Sequence, residues 1–197
     1  MEFKEVQWEV DVNGGAGAHG VARPGTLARF LGSRHLTTAI FVFYLVVLTW
    51  IILFKMQLSP DILGTVRSIN LIPLAGATVI NGAADYREVV QNVLAFVPFG
   101  LFMGMLTAGR PWWRVLLPVT ATSLAFEVLQ YVLAVGMSDI TDLLANTLGG
   151  AIGLGLYVFV RLAARSDTRA LRACNTIALI CGLMLALLVA LLVIGNL

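Results

Sequence analysis

The chain alternates between long apolar segments and short polar connections. A helix that crosses a lipid bilayer needs about 20 predominantly apolar residues. Five segments meet this requirement, namely residues 36–56, 89–107, 115–134, 142–162 and 175–196. The pattern therefore predicts an all-α, polytopic integral membrane protein with about five transmembrane helices.

A shorter apolar stretch lies between the first and second of these segments. It runs from Ile69 to Ile80 and is interrupted or bounded by Pro73, Gly76 and Asn81. Because it is too short to cross a bilayer as a helix, we expect a re-entrant or interfacial segment. Non-helical backbone at membrane depth must be buried in protein or line a wet cavity, so this segment would help to build a cavity.

Composition agrees with a membrane location. Of the 197 residues, 59% are hydrophobic and only 12% are charged, whereas a typical soluble domain has about 25% charged residues. No basic stripe with interleaved aromatic residues occurs, so nucleic acid is not expected as a partner.

The positive charges are distributed unequally between the two sides of the predicted helices. Ten of the 13 Lys and Arg residues fall on the side of the N-terminal tail. Only Lys55, Arg67 and Arg87 fall on the opposite side. Because cytoplasmic loops carry the excess of Lys and Arg, the N-terminus is predicted to be cytoplasmic and the C-terminus outside.

Residues 1–34 form a polar, Gly/Ala-rich tail before the first apolar segment. This order is not that of a cleavable signal peptide, so the first helix is expected to act as an uncleaved anchor. We expect a flexible cytoplasmic tail. The alternation of apolar and polar residues from Val6 to Val12 leaves strand pairing with a partner as the alternative.

Polar side chains stand inside the third and fourth apolar segments. Glu127 and Gln130 are i, i+3 neighbours on the third helix, and Asp142 and Asn146 are i, i+4 neighbours on the fourth, just after Asp139. Ionisable groups in membrane segments are costly and therefore indicate functional sites. The short connection predicts antiparallel neighbouring helices, which would bring these groups together on the outer side.

Each of these residues also has a structural interpretation. Glu127 either fixes helix register through hydrogen bonds to Gln130 and Asn146 or acts as a binding or acid/base group. Asp139 and Asp142 either cap a helix N-terminus or join Glu127 in holding a divalent cation. Asn92, which enters the second helix from the same side, and Asn146 either bridge helices or bind a substrate.

Two glycine pairs indicate where helices approach each other closely. Gly100 and Gly104 lie on the second helix, and Gly149 and Gly153 lie on the fourth. Small residues four apart let the backbones of membrane helices come together. We therefore expect these glycines to face neighbouring helices.

Three blocks of residues, in order along the chain, resemble the VanZ-like family. Residues 70–74 read Asn-Leu-Ile-Pro-Leu and resemble the family's Asn-Leu-Ile-Pro-Phe, with Leu74 in place of the aromatic residue. Residues 92–100 resemble its Asn-x-x-x-Phe-x-Pro-x-Gly block. The third block resembles Ser-x-x-x-Glu-x-x-Gln followed by Asp-x-x-Asp-x-x-x-Asn-x-x-Gly, and it comprises Ser123, Glu127, Gln130, Asp139, Asp142, Asn146 and Gly149.

The resemblance covers residues 36–164, which form the VanZ-like membrane domain. The N-terminal tail and an additional C-terminal transmembrane helix within residues 173–197 lie outside it. Met137 follows Gly136 where family members commonly have arginine, so no role of that arginine carries over.

The resemblance implies a protein of the bacterial cell membrane that lowers sensitivity to lipoglycopeptides such as teicoplanin. Its ligand would be an envelope lipid, a lipid-linked precursor or the lipoglycopeptide itself. The candidate binding residues are Asn70, Asn92, Glu127, Gln130, Asp139, Asp142 and Asn146. The sequence does not indicate an oligomeric state.

An integral-membrane enzyme is the alternative. It would act on an envelope lipid or lipid-linked glycan, with Glu127 and Asp142 as the catalytic candidates. No cofactor is evident, and a divalent cation held by Asp139 and Asp142 is the candidate metal. A transporter is a third interpretation, although the five helices show no obvious inverted repeat.

Overall fold

The structure is a computed structural model, and it describes residues 25–54, 66–70, 72–73, 79–80, 83–84 and 86–195. The predictions for the tail therefore lie almost entirely outside the described residues. The helices are α1 (Thr26–Leu31), α2 (Arg34–Phe54), α3 (Arg87–Leu106), α4 (Trp113–Leu133), α5 (Ile140–Ala164) and α6 (Asp167–Gly195). The strands are β1 (Val66–Asn70), β2 (Val79–Ile80), β3 (Ala83–Ala84) and β4 (Val135–Asp139).

The helices α2 to α6 are each long and apolar enough to cross a membrane. This confirms the prediction of an all-α membrane protein with five spanning helices. The start of α6 differs most from expectation, because this helix begins at Asp167 rather than near residue 175. Its first two turns are charged and helical, and hydropathy detects only the apolar part that follows.

Two strand pairs that the sequence analysis missed join the helices at one end of the bundle. β1 follows α2 and β4 follows α4, and the two strands pair in parallel with Asn70 opposite Asp139. Strands can pair here because α2 and α4 both end at this side, and pairing satisfies their backbone polar groups. β2 and β3 form a short antiparallel pair.

The described residues of the short apolar stretch belong to two strands and to a bend and turn at Ile72 and Pro73. Ile69 and Asn70 belong to β1, and Val79 and Ile80 form β2. The other residues of this stretch, apart from Ile72 and Pro73, lie outside the described part of the chain. A re-entrant or interfacial position therefore stays a prediction.

The helices α3 and α5 run parallel and touch backbone to backbone. A Cβ atom on Gly100 would collide with the Gly150 carbonyl, and one on Gly153 would collide with the Val97 carbonyl. A Cβ on Gly104 would lie 2.9 Å from the Tyr157 ring. The expectation that the glycine pairs face neighbouring helices is therefore confirmed.

Aromatic side chains fill the interface between α2 and α3. Phe41 packs edge-on against Phe99, with ring centroids 5.2 Å apart, and it also contacts Phe102. Phe96 stacks on Phe99 and meets the edge of Phe126 on α4. Aromatic pairs of this kind contribute about 0.5–1.5 kcal/mol each beyond the burial of area, so they fix α2 and α4 on the surface of the α3–α5 pair.

A buried polar contact anchors α6 at the opposite end of the bundle. Asn175 accepts a hydrogen bond from the Thr37 hydroxyl at 3.0 Å and donates one to the Leu31 carbonyl at 2.8 Å. Asp167 also pairs with Arg161 at 2.6 Å. The start of α6 is therefore tied to α2 and α5, while its later apolar side chains, such as Leu183 and Leu187, are largely exposed, as expected for contact with lipid.

Candidate functional site

Glu127 stands near the end of α4 and is only 5% exposed. Its carboxylate Oε2 accepts a hydrogen bond from the Ser138 hydroxyl at 3.0 Å and another from the Asp139 backbone N–H at 2.9 Å. These contacts join the helix to the strand β4 that follows it. Glu127 is thus part of the connection between α4 and α5 rather than an isolated buried charge.

Asp139 links three elements at this end of the bundle. Its Oδ1 accepts a hydrogen bond from the Thr141 backbone N–H at 2.8 Å, so Asp139 is the N-cap of α5. Its Oδ2 accepts one from the Asn70 side-chain amide at 3.0 Å. The parallel strand register places Asn70 opposite Asp139 and so brings a residue 69 positions away into the site.

Asp142 lies in the first turn of α5 and is partly buried. It interacts electrostatically with the carboxylates of Glu127, Glu88 and Asp139, and the side-chain amide of Asn92 lies beside it. Helices α3, α4 and α5 therefore each contribute polar groups to one region, as the sequence analysis expected of the polar residues on these helices. Within the described part of the chain, the charged groups that act on Asp142 are all carboxylates.

A line of polar side chains continues from these carboxylates into the α4–α5 interface. Asn146, only 1% exposed, donates from Nδ2 to the Ser123 hydroxyl at 2.9 Å. The hydroxyl groups of Thr120, one turn before Ser123 on α4, and of Thr147, the residue after Asn146 on α5, are 3.1 Å apart. We call these four residues the polar seam. Its hydrogen bonds join α4 to α5, and the two helices are antiparallel neighbours, as predicted.

Gln130 turns toward α2 instead of toward the polar seam. Its Nε2 donates to the Ile52 backbone carbonyl at 3.0 Å, and its side chain is 5% exposed. The expectation that Gln130 faces Glu127 and the α5 residues is therefore corrected, because its amide contacts α2. The i, i+3 spacing places Gln130 on the same side of α4 as Glu127, but the end of α2 also borders that side.

Among the described residues, two buried side-chain amide oxygens have no hydrogen-bond partner, Oε1 of Gln130 and Oδ1 of Asn146. The orientation of the Gln130 amide is fixed, because its Nε2 faces a carbonyl, which can only accept. Buried polar groups are nearly always hydrogen-bonded, and an exception calls for an explanation. Both acceptors lie on the helices that carry Glu127 and Asp142.

The described residues contain no group of three Asp, Glu, His or Cys side chains that converge on a metal position. The hard-oxygen site expected of Glu127, Asp139 and Asp142 together stays a prediction. Both carboxylate oxygens of Asp139 already accept hydrogen bonds from the protein. A divalent cation held by Asp139 and Asp142 with neutral ligands stays a prediction.

Sequence reasoning missed several polar residues of the site. Ser138 and Glu88 follow no periodic pattern that would mark them. Thr120 precedes Glu127 by seven residues, and Thr147 follows Asn146 directly. A helical face drawn through Glu127 would have found Thr120, because i, i+3/i+4 and i+7 positions share one side of a helix.

Comparison with known proteins identifies the family. The model of the VanZ/LLP1 family matches residues 41–161, which is more than half of the chain. The chain belongs to the VanZ/LLP1 family. Protein VanZ of Enterococcus faecium is 36% identical over 126 residues, which cover 62% of this chain and 73% of that protein. No solved structure matches the chain.

The VanZ/LLP1 match contains the whole candidate site. It includes Asn70, Asn92, Glu127 and the start of α5, and it ends before α6 begins. The residues that converge in the structure are thus those of the family's region, and α6 is packed against that region from outside the match.

Proposed function

We propose that this VanZ/LLP1 protein lowers the sensitivity of its bacterial cell to lipoglycopeptides such as teicoplanin. Its polar site would bind an envelope lipid, a lipid-linked precursor or the lipoglycopeptide on the outer side of the membrane. The observation that carries this proposal is the convergence of Glu127, Asp139 and Asp142 within the family's region. Helix packing alone does not call for several carboxylates at one place, because they are costly in a membrane protein.

The arrangement favours binding over catalysis. Glu127 and Asp139 are held by hydrogen bonds from the backbone and from neighbouring side chains, so they form a preorganised surface. The Ser138 hydroxyl, which donates to Glu127 at 3.0 Å, is part of the same hydrogen-bonded surface. A site of this kind recognises a ligand by charge and hydrogen bonding.

An integral-membrane enzyme is the second candidate function. The pairing of Glu127 with Asp142 favours it, because two interacting carboxylates can divide the roles of acid and base between them. Its substrate would be an envelope lipid or a lipid-linked glycan. The two functions differ in how strictly they need an ionised carboxylate at position 127.

The susceptibility of a teicoplanin-sensitive Gram-positive host tests the proposal. We expect the wild-type protein to raise the inhibitory concentration of teicoplanin and to leave that of vancomycin unchanged. Glu127→Gln and Asp142→Asn should each reduce this protection at matched membrane levels, because they remove charge while keeping shape. Asp167→Asn, which removes the same charge at the opposite end of the bundle, should keep it.

Two results would count against this proposal in different ways. No protection by the wild-type protein at any expression level would remove the lipoglycopeptide function. Complete loss of protection in a well-expressed Glu127→Gln protein would favour the enzyme, because a binding site should tolerate the neutral isostere in part.

Cysteine labelling tests the proposed orientation, in which the polar site lies on the outer side of the membrane. In a protein with Cys174 and Cys181 replaced by serine, we expect Tyr86→Cys to react with a membrane-impermeant maleimide in intact cells. Pro111→Cys, in the connection at the opposite end, should react only after permeabilisation. Both positions are exposed in the structure, and the reverse labelling pattern would contradict the orientation.

A further inference from the structure

Arginine side chains are concentrated at the end of the bundle opposite the candidate site. Helices α1 and α2 adjoin there, α5 ends there and α6 begins there. Residues 25–37 and 158–175 include six arginines and one acid, Asp167, which already pairs with Arg161 at 2.6 Å. None of the described acids pairs with the other five arginines, which are Arg29, Arg34, Arg165, Arg169 and Arg172.

Arg172 is the arginine at this end that most clearly lacks an acceptor. It is partly buried, and its Nε atom is fully enclosed without a hydrogen-bond partner among the described residues. Unlike a side-chain amide, a guanidinium has donors on every nitrogen and no acceptor, so the unmatched atom is a donor however the side chain is turned. Buried polar groups are nearly always hydrogen-bonded, and buried arginines are nearly always paired. An anion would supply the missing acceptor.

The turn between α1 and α2 holds the Arg172 side chain in place. A Cβ on Gly32 would lie 3.3 Å from both Cγ and Nε of Arg172 and 3.2 Å from Cγ2 of Thr168. One turn further along α6, Asn175 accepts a hydrogen bond from the Thr37 hydroxyl on α2 at 3.0 Å. The stem of Arg172 is therefore fixed by packing, which preorganises its guanidinium for a ligand.

Arg34 lies at the same depth in the bundle as Arg172. Helices α2 and α6 both begin at this end, and Thr37 meets Asn175 between them. Arg34 precedes Thr37 by three residues, and Arg172 precedes Asn175 by three residues. Because residues three apart share one side of a helix, both arginines lie about one turn nearer the end of the bundle, beside the contact between the two helices. The positive ends of both helix dipoles add to their charge.

Helix α1 places an apolar surface next to these arginines. It packs against α6, and its Leu27 and Phe30 are i, i+3 neighbours that are 71% and 55% exposed. In a protein whose other helices cross a membrane, exposed apolar side chains beside arginines at a helix end belong at the boundary between headgroups and acyl chains. The anion that suits this position is therefore one that also carries acyl chains.

We propose that the end of the bundle formed by α1, α2 and α6 binds the phosphate headgroup of an acidic phospholipid, with Arg172 and Arg34 as its partners. Guanidinium groups bind phosphate oxygens through paired N–H donors, and basic pockets between membrane helices bind acidic headgroups. The orientation proposed above places this second site in the cytoplasmic leaflet. It is separate from the candidate site and independent of the lipoglycopeptide function.

Two lipids with identical acyl chains test the headgroup preference. Purified full-length protein is titrated with phosphatidylglycerol and with phosphatidylcholine, and bound lipid is counted by native mass spectrometry. Both headgroups contain one phosphodiester, but only phosphatidylglycerol has a net negative charge. We expect phosphatidylglycerol to bind about tenfold more tightly, as for one charge-assisted hydrogen bond.

Arginine variants identify where the headgroup binds. Arg172→Gln should lose most of the preference for phosphatidylglycerol, and Arg34→Gln should weaken it. Arg169→Gln removes the same charge from an exposed position of α6 and should keep the preference. Arg172→Lys should keep only part of it, because an ammonium lacks the paired donors of a guanidinium. Elution as a single species in size-exclusion chromatography confirms that each variant is folded.

Three results would overturn the proposal of a headgroup site. Equal binding of the two lipids would remove the preference for an acidic headgroup. Equal losses in Arg169→Gln and Arg172→Gln would leave only a diffuse attraction between charges. Displacement of phosphatidylglycerol by millimolar inorganic phosphate would show that a free anion suffices. Asp142→Asn, at the opposite end of the bundle, should leave the lipid preference unchanged, so the test does not depend on the candidate site.

Discussion

Replacing Gly153 with leucine is expected to cost more stability than any other single change considered for this protein. A Cβ at this position meets the Val97 carbonyl and lies 2.7 Å from the Leu101 backbone nitrogen. Backbone atoms cannot move aside as side chains do, so α3 and α5 must separate along their closest contact. Overpacking of a well-packed core costs typically about 1–3 kcal/mol, and we expect at least about 3 kcal/mol here.

Gly155 provides a matched control on the same helix. A Cβ at Gly155 meets nothing within 4 Å, so Gly155→Leu should change stability by no more than about 0.5 kcal/mol, as for most surface substitutions. Thermal unfolding in detergent, followed by circular dichroism, compares the two variants with the wild type. Equal melting temperatures for the two leucine variants would contradict close α3–α5 packing.

The same substitution should also disturb the polar site. Asn92 belongs to α3 and Asp142 to α5, and the two side chains lie together only because these helices pack so closely. Separating the helices moves the amide away from the carboxylate. We therefore expect Gly153→Leu to lose protection against teicoplanin even where protein remains in the membrane, whereas Gly155→Leu retains it.

The helices of this protein could be predicted from the sequence because a bilayer imposes a simple requirement. Long apolar segments and the glycine pairs identified α2 to α6 and the α3–α5 contact. Glu127, Asp139 and Asp142 were found because charge within an apolar segment is conspicuous. These predictions depend on local composition and on helical periodicity, both of which can be read directly from the chain.

The partners of the polar groups could not be predicted in the same way. Asn70 meets Asp139 through a parallel strand pair, and each strand has only five residues without an alternating pattern. Gln130 donates to the backbone carbonyl of Ile52. Because every residue has such a carbonyl, the sequence does not indicate which one accepts. Such contacts depend on where separate helices end relative to one another, which hydropathy does not encode.

Replacing Glu127 with leucine is expected to destabilise the protein, whereas replacement with glutamine should not. Leucine removes the acceptor for the Ser138 hydroxyl and for the Asp139 backbone N–H. A donor left unsatisfied costs about 1–3 kcal/mol, partly offset because a buried charge is also removed, so we expect a net loss of about 2 kcal/mol. Glutamine keeps an acceptor oxygen and should stay within about 1 kcal/mol of the wild type.

This contrast separates the structural role of Glu127 from its role in binding. Thermal unfolding in detergent is measured for both variants, with Val128→Leu as a control at a lipid-exposed position of the same helix. If Glu127 only tied α4 to β4, Glu127→Gln would keep both stability and protection against teicoplanin. We expect it to keep stability and to lose part of the protection, because its amide oxygen can accept from the Asp139 backbone N–H but does not carry the charge of the carboxylate. A leucine variant as stable as the wild type would contradict the contribution of the two hydrogen bonds.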